Sequence, residues 1–323
     1  MRSRLLRAGV FGLLAGLAGL LLGQVPLFRV AEAKVYDLAM RLTADPSHAH
    51  PSIVVVEIDE ISLRRLEPVV GRWPWPRLVH ASVIDYLARG PARAVAYDVS
   101  LTDRDRRTGF DAGGVTWTGA ESDEALVAST KAAGNVIHLA EGVFEGATGA
   151  DDVDRRLKTA PQGAYPLDAS VDLRPAMSGP FPGLGEAARA LGHNIMLEDD
   201  DGPVRRVIPF IRREGLYLPS FGIAAAQIAL GLPSTSVRLE GDALVLGTTR
   251  LPAPVVEVPQ FDAQPGPVAY GRRSLIRYRG PATLADGRTP TYRAYSFYDL
   301  FYSEQQLLEG QKPLIDPATF KGA

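Results

Sequence analysis

Cysteine is absent from all 323 residues. That absence excludes disulfides, thiolate catalysis and Cys-ligated zinc or iron–sulfur centres. It leaves the redox compartment open, because a cysteine-free chain is compatible with either environment. Lysine is scarce, at five residues against 30 arginines, and the arginines are scattered rather than clustered. With a net charge of −2 there is no basic field to gather nucleic acid, so none is expected as a partner. The chain has no Gly-x-x-x-x-Gly-Lys-Ser/Thr phosphate loop, no Gly-x-Gly-x-x-Gly after its first β-run, no His-Glu-x-x-His and no Gly-x-Ser-x-Gly. No cofactor, resident metal or catalytic residue is expected. The five histidines stand apart, at 48, 50, 80, 138 and 193. A long apolar run occurs once, at the N-terminus.

That run extends from Ala8 to Gly23 and reaches Phe28 if Gln24 and Pro26 are tolerated. At full length it suits a hydrocarbon core of roughly 30 Å. Arg2, Arg4 and Arg7 precede it, which by the positive-inside rule puts residues 1–7 in the cytoplasm, 8–28 across the inner membrane and the remainder outside. Ala31-Glu32-Ala33 is a passable cleavage site, so a signal peptide is the rival reading. Residues 29–51 read as a juxtamembrane helix and linker, and residues 52–323 as one extracytoplasmic domain.

The outer domain opens with Ile53 to Asp59, a β-branched run ending on acids, and returns at Ala94 to Asp98 with a second one. A helical period between them makes a βαβ unit. Asp59 is placed to cap a helix. Trp73-Pro74-Trp75-Pro76 cannot be helical throughout, because each proline drives the residue before it towards extended backbone, so it reads as a stiff loop presenting two indoles. A helix is predicted from Arg77 to Arg89, stopped by Gly90-Pro91. A further helix from about Ser122 to Ala133 and a β-run from Asn135 to Phe144 complete βαβαβ. The fold class is α/β, a mixed, largely parallel sheet with flanking helices and β-hairpin insertions, preceded by one transmembrane helix. Hairpins are predicted around Asp199-Asp200-Asp201-Gly202 and Gly241-Asp242. Gly146 to Gly183 is long and rich in Pro, Gly and Asp, with no assignable element.

Both early runs end in carboxylates at the edge where α/β sheets usually hold ligands. In the functional reading, Glu57, Asp59, Asp98, Asp103 and Arg77 line one pocket with Trp73 and Trp75 as its apolar wall. In the structural reading, Asp59 only caps, Asp98 bonds the loop that follows it and the indoles plug the core. Two other classes stay open: a metal-dependent hydrolase using Asp59, Asp98 and Asp103, and a purely structural dimerisation module.

Several of these segments resemble one family. Ile58-Asp59-Glu60 with Ser62-Leu63, Gly71 to Arg77, and Ala96 with Asp98 are similar to the type-two CHASE domain, the cyclase- and histidine-kinase-associated sensory extracellular domain. The resemblance continues through Gly192-His193-Asn194, Asp201 to Arg206, Leu218 to Phe221, Arg277 to Gly280 and Phe320-Lys321-Gly322. It implies a membrane-anchored sensor of an unknown extracytoplasmic ligand, acting as a homodimer, with no enzyme activity of its own. Such domains continue after Phe-Lys-Gly into an apolar strand, membrane helices and a cyclase or kinase effector. The chain is therefore expected to carry the input half only, with an unpaired sheet edge that weakens it and favours association.

Overall fold

The computed structural model describes residues 7, 9–14, 16, 19, 26–143, 164–199, 201–213, 215–258 and 269–323. They fall into two compact units, one of residues 1–49, 198–203 and 277–291, the other of residues 50–197, 204–276 and 292–323.

The first unit is built on helix α1 (Pro26–Thr43), which begins at Pro26, inside the run expected to span the membrane, and ends within the segment read as juxtamembrane helix and linker. Part of the apolar run expected to span the membrane lies outside the described residues. Among those described, no helix is long and apolar enough to cross one. Lys34 pairs with Asp201 at 2.8 Å. The amide of Gly202 donates to the Asp199 carbonyl at 2.8 Å, so the Asp-Gly turn forms, with Asp200 outside the described residues.

The second unit begins with β1 (Val54–Glu57), α2 (Glu60–Val70), α3 (Arg77–Arg89) and β2 (Val95–Tyr97). Helix α4 (Gly119–Ala133), β3 (Val136–Leu139) and β4 (Ala190–Gly192) follow, then α5 (Phe221–Ala229), β5 (Arg293–Ser296) and α6 (Phe297–Leu308). Strands β2, β3 and β4 form a parallel sheet in that order. Strand β1 pairs in parallel with β5, from the far end of the chain. Instead of one large sheet there are several small ones, and the remaining pairs among described residues are mostly antiparallel. The hairpin at Gly241-Asp242 forms, between Val237–Glu240 and Ala243–Leu246, and gains a third strand at Thr249–Pro252.

Helix α3 has the predicted bounds. Val79, Val83, Ile84 and Leu87 bury its apolar stripe, and each contributes roughly 1.5–3 kcal/mol of transfer free energy. Helix α2 runs through Pro68 and ends at Gly71, whose φ of 88° suits glycine. The run Ser274 to Arg279 is a strand only at Ser274–Leu275.

Alternate residues of the parallel strands enter different cores. Val95 and Val136 pack with α3, Ala94 and Ile137 with α5, so the β2–β3–β4 sheet is covered on both faces. Neither β1 nor β2 has a strand on its second edge among the described residues.

Candidate ligand site

Asp59 stands just past β1 in extended backbone, with φ −91° and ψ 177°, and caps α2. Its Oδ1 accepts hydrogen bonds from the Ser62 amide at 2.8 Å, the Ser62 hydroxyl at 2.6 Å and the Ser296 hydroxyl at 2.9 Å. The Ser62 hydroxyl in turn accepts from the Tyr298 amide at 3.0 Å. One carboxylate oxygen thus ties the ends of β1 and β5 to the helices that follow them. Burial pushes the Asp59 carboxyl upward, but the Ser62 and Ser296 hydrogen bonds outweigh it and leave it below its ordinary value.

The tryptophan–proline loop splits its two indoles. Trp75 is fully buried and stacks on Phe297, ring centres 5.4 Å apart. Trp73 meets Trp75 edge to face at 4.9 Å and stays 43% exposed. The loop was expected to present both indoles, but one of them is core, because Trp75 buries its large ring under α6 where solvent cannot reach. The Trp73–Pro74 peptide bond is cis. Behind the indoles lies buried His80, whose Nδ1 is 2.7 Å from the Tyr97 hydroxyl. The Tyr97 ring packs on His138 at 5.6 Å, and the Thr130 hydroxyl bonds His138 Nε2 at 3.0 Å. Burial, with Arg77 and His138 adding repulsion, pushes His80 down to about 3; burial alone does the same to His138.

Arg77 opens α3 and turns towards the loop after β2. Its Nη2 donates to the Asp103 carbonyl at 3.1 Å, and its Nε is 3.9 Å from Asp123. The Asp123 carboxylate is buried and receives the Asp105 amide at 3.1 Å, with Arg104 at 3.9 Å. Burial raises Asp123 above its ordinary value despite these donors. Arg107 pairs with Asp105 at 2.7 Å and donates to the Pro74 carbonyl at 2.5 Å, locking this loop onto the tryptophan loop. Gly119 lets α4 begin against it, since a Cβ there would lie 2.3 Å from the Asp105 carbonyl oxygen.

The seven expected residues therefore fall in separate places. Glu57 is exposed at the end of β1, and Asp103 contributes its carbonyl to Arg77 from an exposed position. The exposed carboxylate of Asp98 accepts from Asn194 Nδ2 at 2.8 Å, joining the ends of β2 and β4. A cavity of about 670 Å³ lies between β1 and β2, and of the seven only Asp98 lines it. No cluster of three metal-ligating side chains exists among the described residues.

A family model described as the CHASE2 domain matches residues 11–323. The chain belongs to the CHASE2 family. This is a family of sensory extracellular domains of signalling receptors. No curated protein and no solved structure matches the chain. Within this CHASE2 domain, sequence reading missed Asp123, His80 and Ser296. The signal for Asp123 was its place on the inward stripe of α4 with Ser122, Leu126, Ser129 and Thr130, where a carboxylate has to be paired.

Proposed function

We propose that the chain is the extracytoplasmic input domain of a transmembrane receptor. Its N-terminal apolar run anchors it in the inner membrane with the N-terminus cytoplasmic, and a nucleotide cyclase or protein kinase effector lies outside these residues. The observation that carries this reading is the CHASE2 match over residues 11–323, since that family consists of sensory extracellular domains of signalling receptors. The three arginines before Ala8 support the orientation. In this reading the acids and tryptophans at the strand ends hold the first crossover together, and a ligand acts on the domain they hold.

The receptor works as a homodimer paired through the anchor and α1. Val35, Leu38 and Leu42 are exposed on α1 at spacings of three and four, the seam of a two-helix coiled coil.

Two measurements test this. A periplasm-dependent phosphatase fused behind Ala323 should be active in cells, and a fluorescent protein fused there should stay dark; the reverse pattern removes the topology. Single cysteines replacing Leu38 or Leu42 should cross-link in membranes, and one replacing Ala33 on the opposite face should not. Equal cross-linking at all three positions would remove the pairing seam.

A further inference from the structure

A second pocket, of about 350 Å³, lies where the start of β4 meets the C-terminal end of α5. It shares no lining residue with the cavity between β1 and β2. Its polar members are Arg189, which precedes β4, Gln227 on α5 and Ser234 in the short turn after that helix. Gln227 is only 6% exposed. Its Oε1 accepts from the Tyr165 hydroxyl at 2.8 Å, which fixes the orientation of the amide. The –NH2 has no partner among the described residues and is not sealed from solvent, so in a side chain this buried it faces the pocket. The Ser234 hydroxyl, in a residue 8% exposed, is placed in the same way. Arg189 is exposed, and its guanidinium pairs with no carboxylate among the described residues.

We infer that this pocket binds a small aliphatic monocarboxylate. A guanidinium, an amide –NH2 and a hydroxyl are the donor set for one such anion. A buried donor left without an acceptor is costly, and a carboxylate supplies an acceptor to each buried donor at once. No Asp or Glu lines the pocket to compete for Arg189. The C-terminal end of α5 carries about half a negative charge, which Arg189 outweighs. The last-turn carbonyls of Ala226, Gln227 and Ile228 are already taken by the amides of Leu230, Leu232 and Gly231 at 2.9–3.0 Å, so they do not repel the ligand as open acceptors.

The apolar lining decides the rest of the ligand. Ala190 and Ala224, 3% and 1% exposed, are small and leave room above them, and Ile228 and Leu232 stand beside that room. An aliphatic tail covers these side chains, whereas inorganic phosphate would set a multiply charged ion against them. A volume of about 350 Å³ is at the small end of ligand sites, which run from roughly 300 to 1,000 Å³. The pocket exists whatever lies across the membrane; that its occupant is a receptor's stimulus rests on the reading above.

The probe is pentanoate, titrated into the whole chain in lipid nanodiscs with empty nanodiscs as the blank. Saturable binding is expected, with amide exchange slowed between Gln227 and Ser234. Pentanamide, which keeps the shape and loses the charge, should bind roughly tenfold more weakly, and phosphate should not compete. Arg189→Gln acts at an exposed position, so it should weaken pentanoate roughly tenfold with the unfolding temperature unchanged. Gln227→Glu keeps an oxygen for Tyr165 and replaces the –NH2 with a second oxygen, so it should abolish binding. If Gln227→Glu fails to fold, Arg189→Gln and the pentanamide comparison decide alone. Absence of saturable pentanoate binding, equal binding of pentanamide, or binding unchanged in Arg189→Gln overturns the inference. None of these outcomes bears on the receptor reading, which the fusions behind Ala323 test separately.

Discussion

Asp59 and Ser296 are 237 positions apart and share a hydrogen bond of 2.9 Å. It spans the two ends of the β1–β5 pair, and through Ser62 it reaches the first turn of both following helices. The acid that reads as a binding residue is the knot between the beginning and the end of the outer domain.

Asp59→Ala removes a helix cap and that tie together, and should cost about 1–3 kcal/mol of unfolding free energy in urea. Ser296→Ala should cost less, and the double variant less than the sum of the two. Because the folded carboxyl lies below its ordinary value of 3.8, its contribution is present above that value and is lost as pH falls through the folded value. A change in Asp59→Ala within 0.5 kcal/mol, roughly that of an ordinary surface position, would show that the knot carries little.

Acid should unfold the domain early. His80, His138 and His193 are all buried with values near 3 instead of 6.5, chiefly through burial. The unfolded chain therefore binds three more protons than the folded one between these limits, and stability falls as pH drops below about 6.5. The slope approaches roughly 4 kcal/mol per pH unit when all three contribute. Asp85, Asp123 and Asp299 are raised and act the other way, but only nearer their own carboxylate range. Urea titrations at pH 7, 6 and 5 should show the midpoint collapsing, and His138→Gln should flatten the slope by about a third.

The two tryptophans should differ. Trp75→Ala empties a fully buried site stacked on Phe297 and should cost about 3–5 kcal/mol. Trp73→Ala, at 43% exposure, should cost well under half of that. Thermal unfolding of the pair, followed by near-ultraviolet dichroism, separates them; equal losses would mean that Trp73 is as structural as its neighbour.

Gly90→Ala should prevent folding of the segment after α3. A Cβ at that position would sit 1.7 Å from the carbonyl oxygen of Pro317, which is backbone and cannot swing aside. Relief requires moving the C-terminal turn that carries Phe320 in the core, so loss of soluble protein or a Tm fall of many degrees is expected. An unchanged Tm would show that the C-terminal turn moves freely.

Much was written locally. The bounds of α3 follow from Pro76 before it, its inward stripe and Gly90 after it, all within one short window. The Asp59 cap needs only the three residues that follow it, and the Gly241-Asp242 hairpin only its two turn residues. The CHASE2 resemblance was legible for a similar reason, because the residues that carry it stand in short stretches such as Gly71 to Arg77.

The tertiary structure decided what depends on distant partners. Strand β5 is four residues, Arg-Ala-Tyr-Ser, with nothing local to distinguish it from the start of the aromatic helix it precedes; pairing with β1 makes it a strand. A parallel ladder is closed across the chain, so no local pattern specifies the neighbour. For the same reason the acids of β1 and β2, alike in sequence, end in different places: Asp59 beneath Ser296, Asp98 against Asn194, with an open slot between their strands. Sequence by itself determined which residues can cap, turn or pack. Only the fold decided which strand edges are satisfied, because an edge is filled or left open by residues hundreds of positions away.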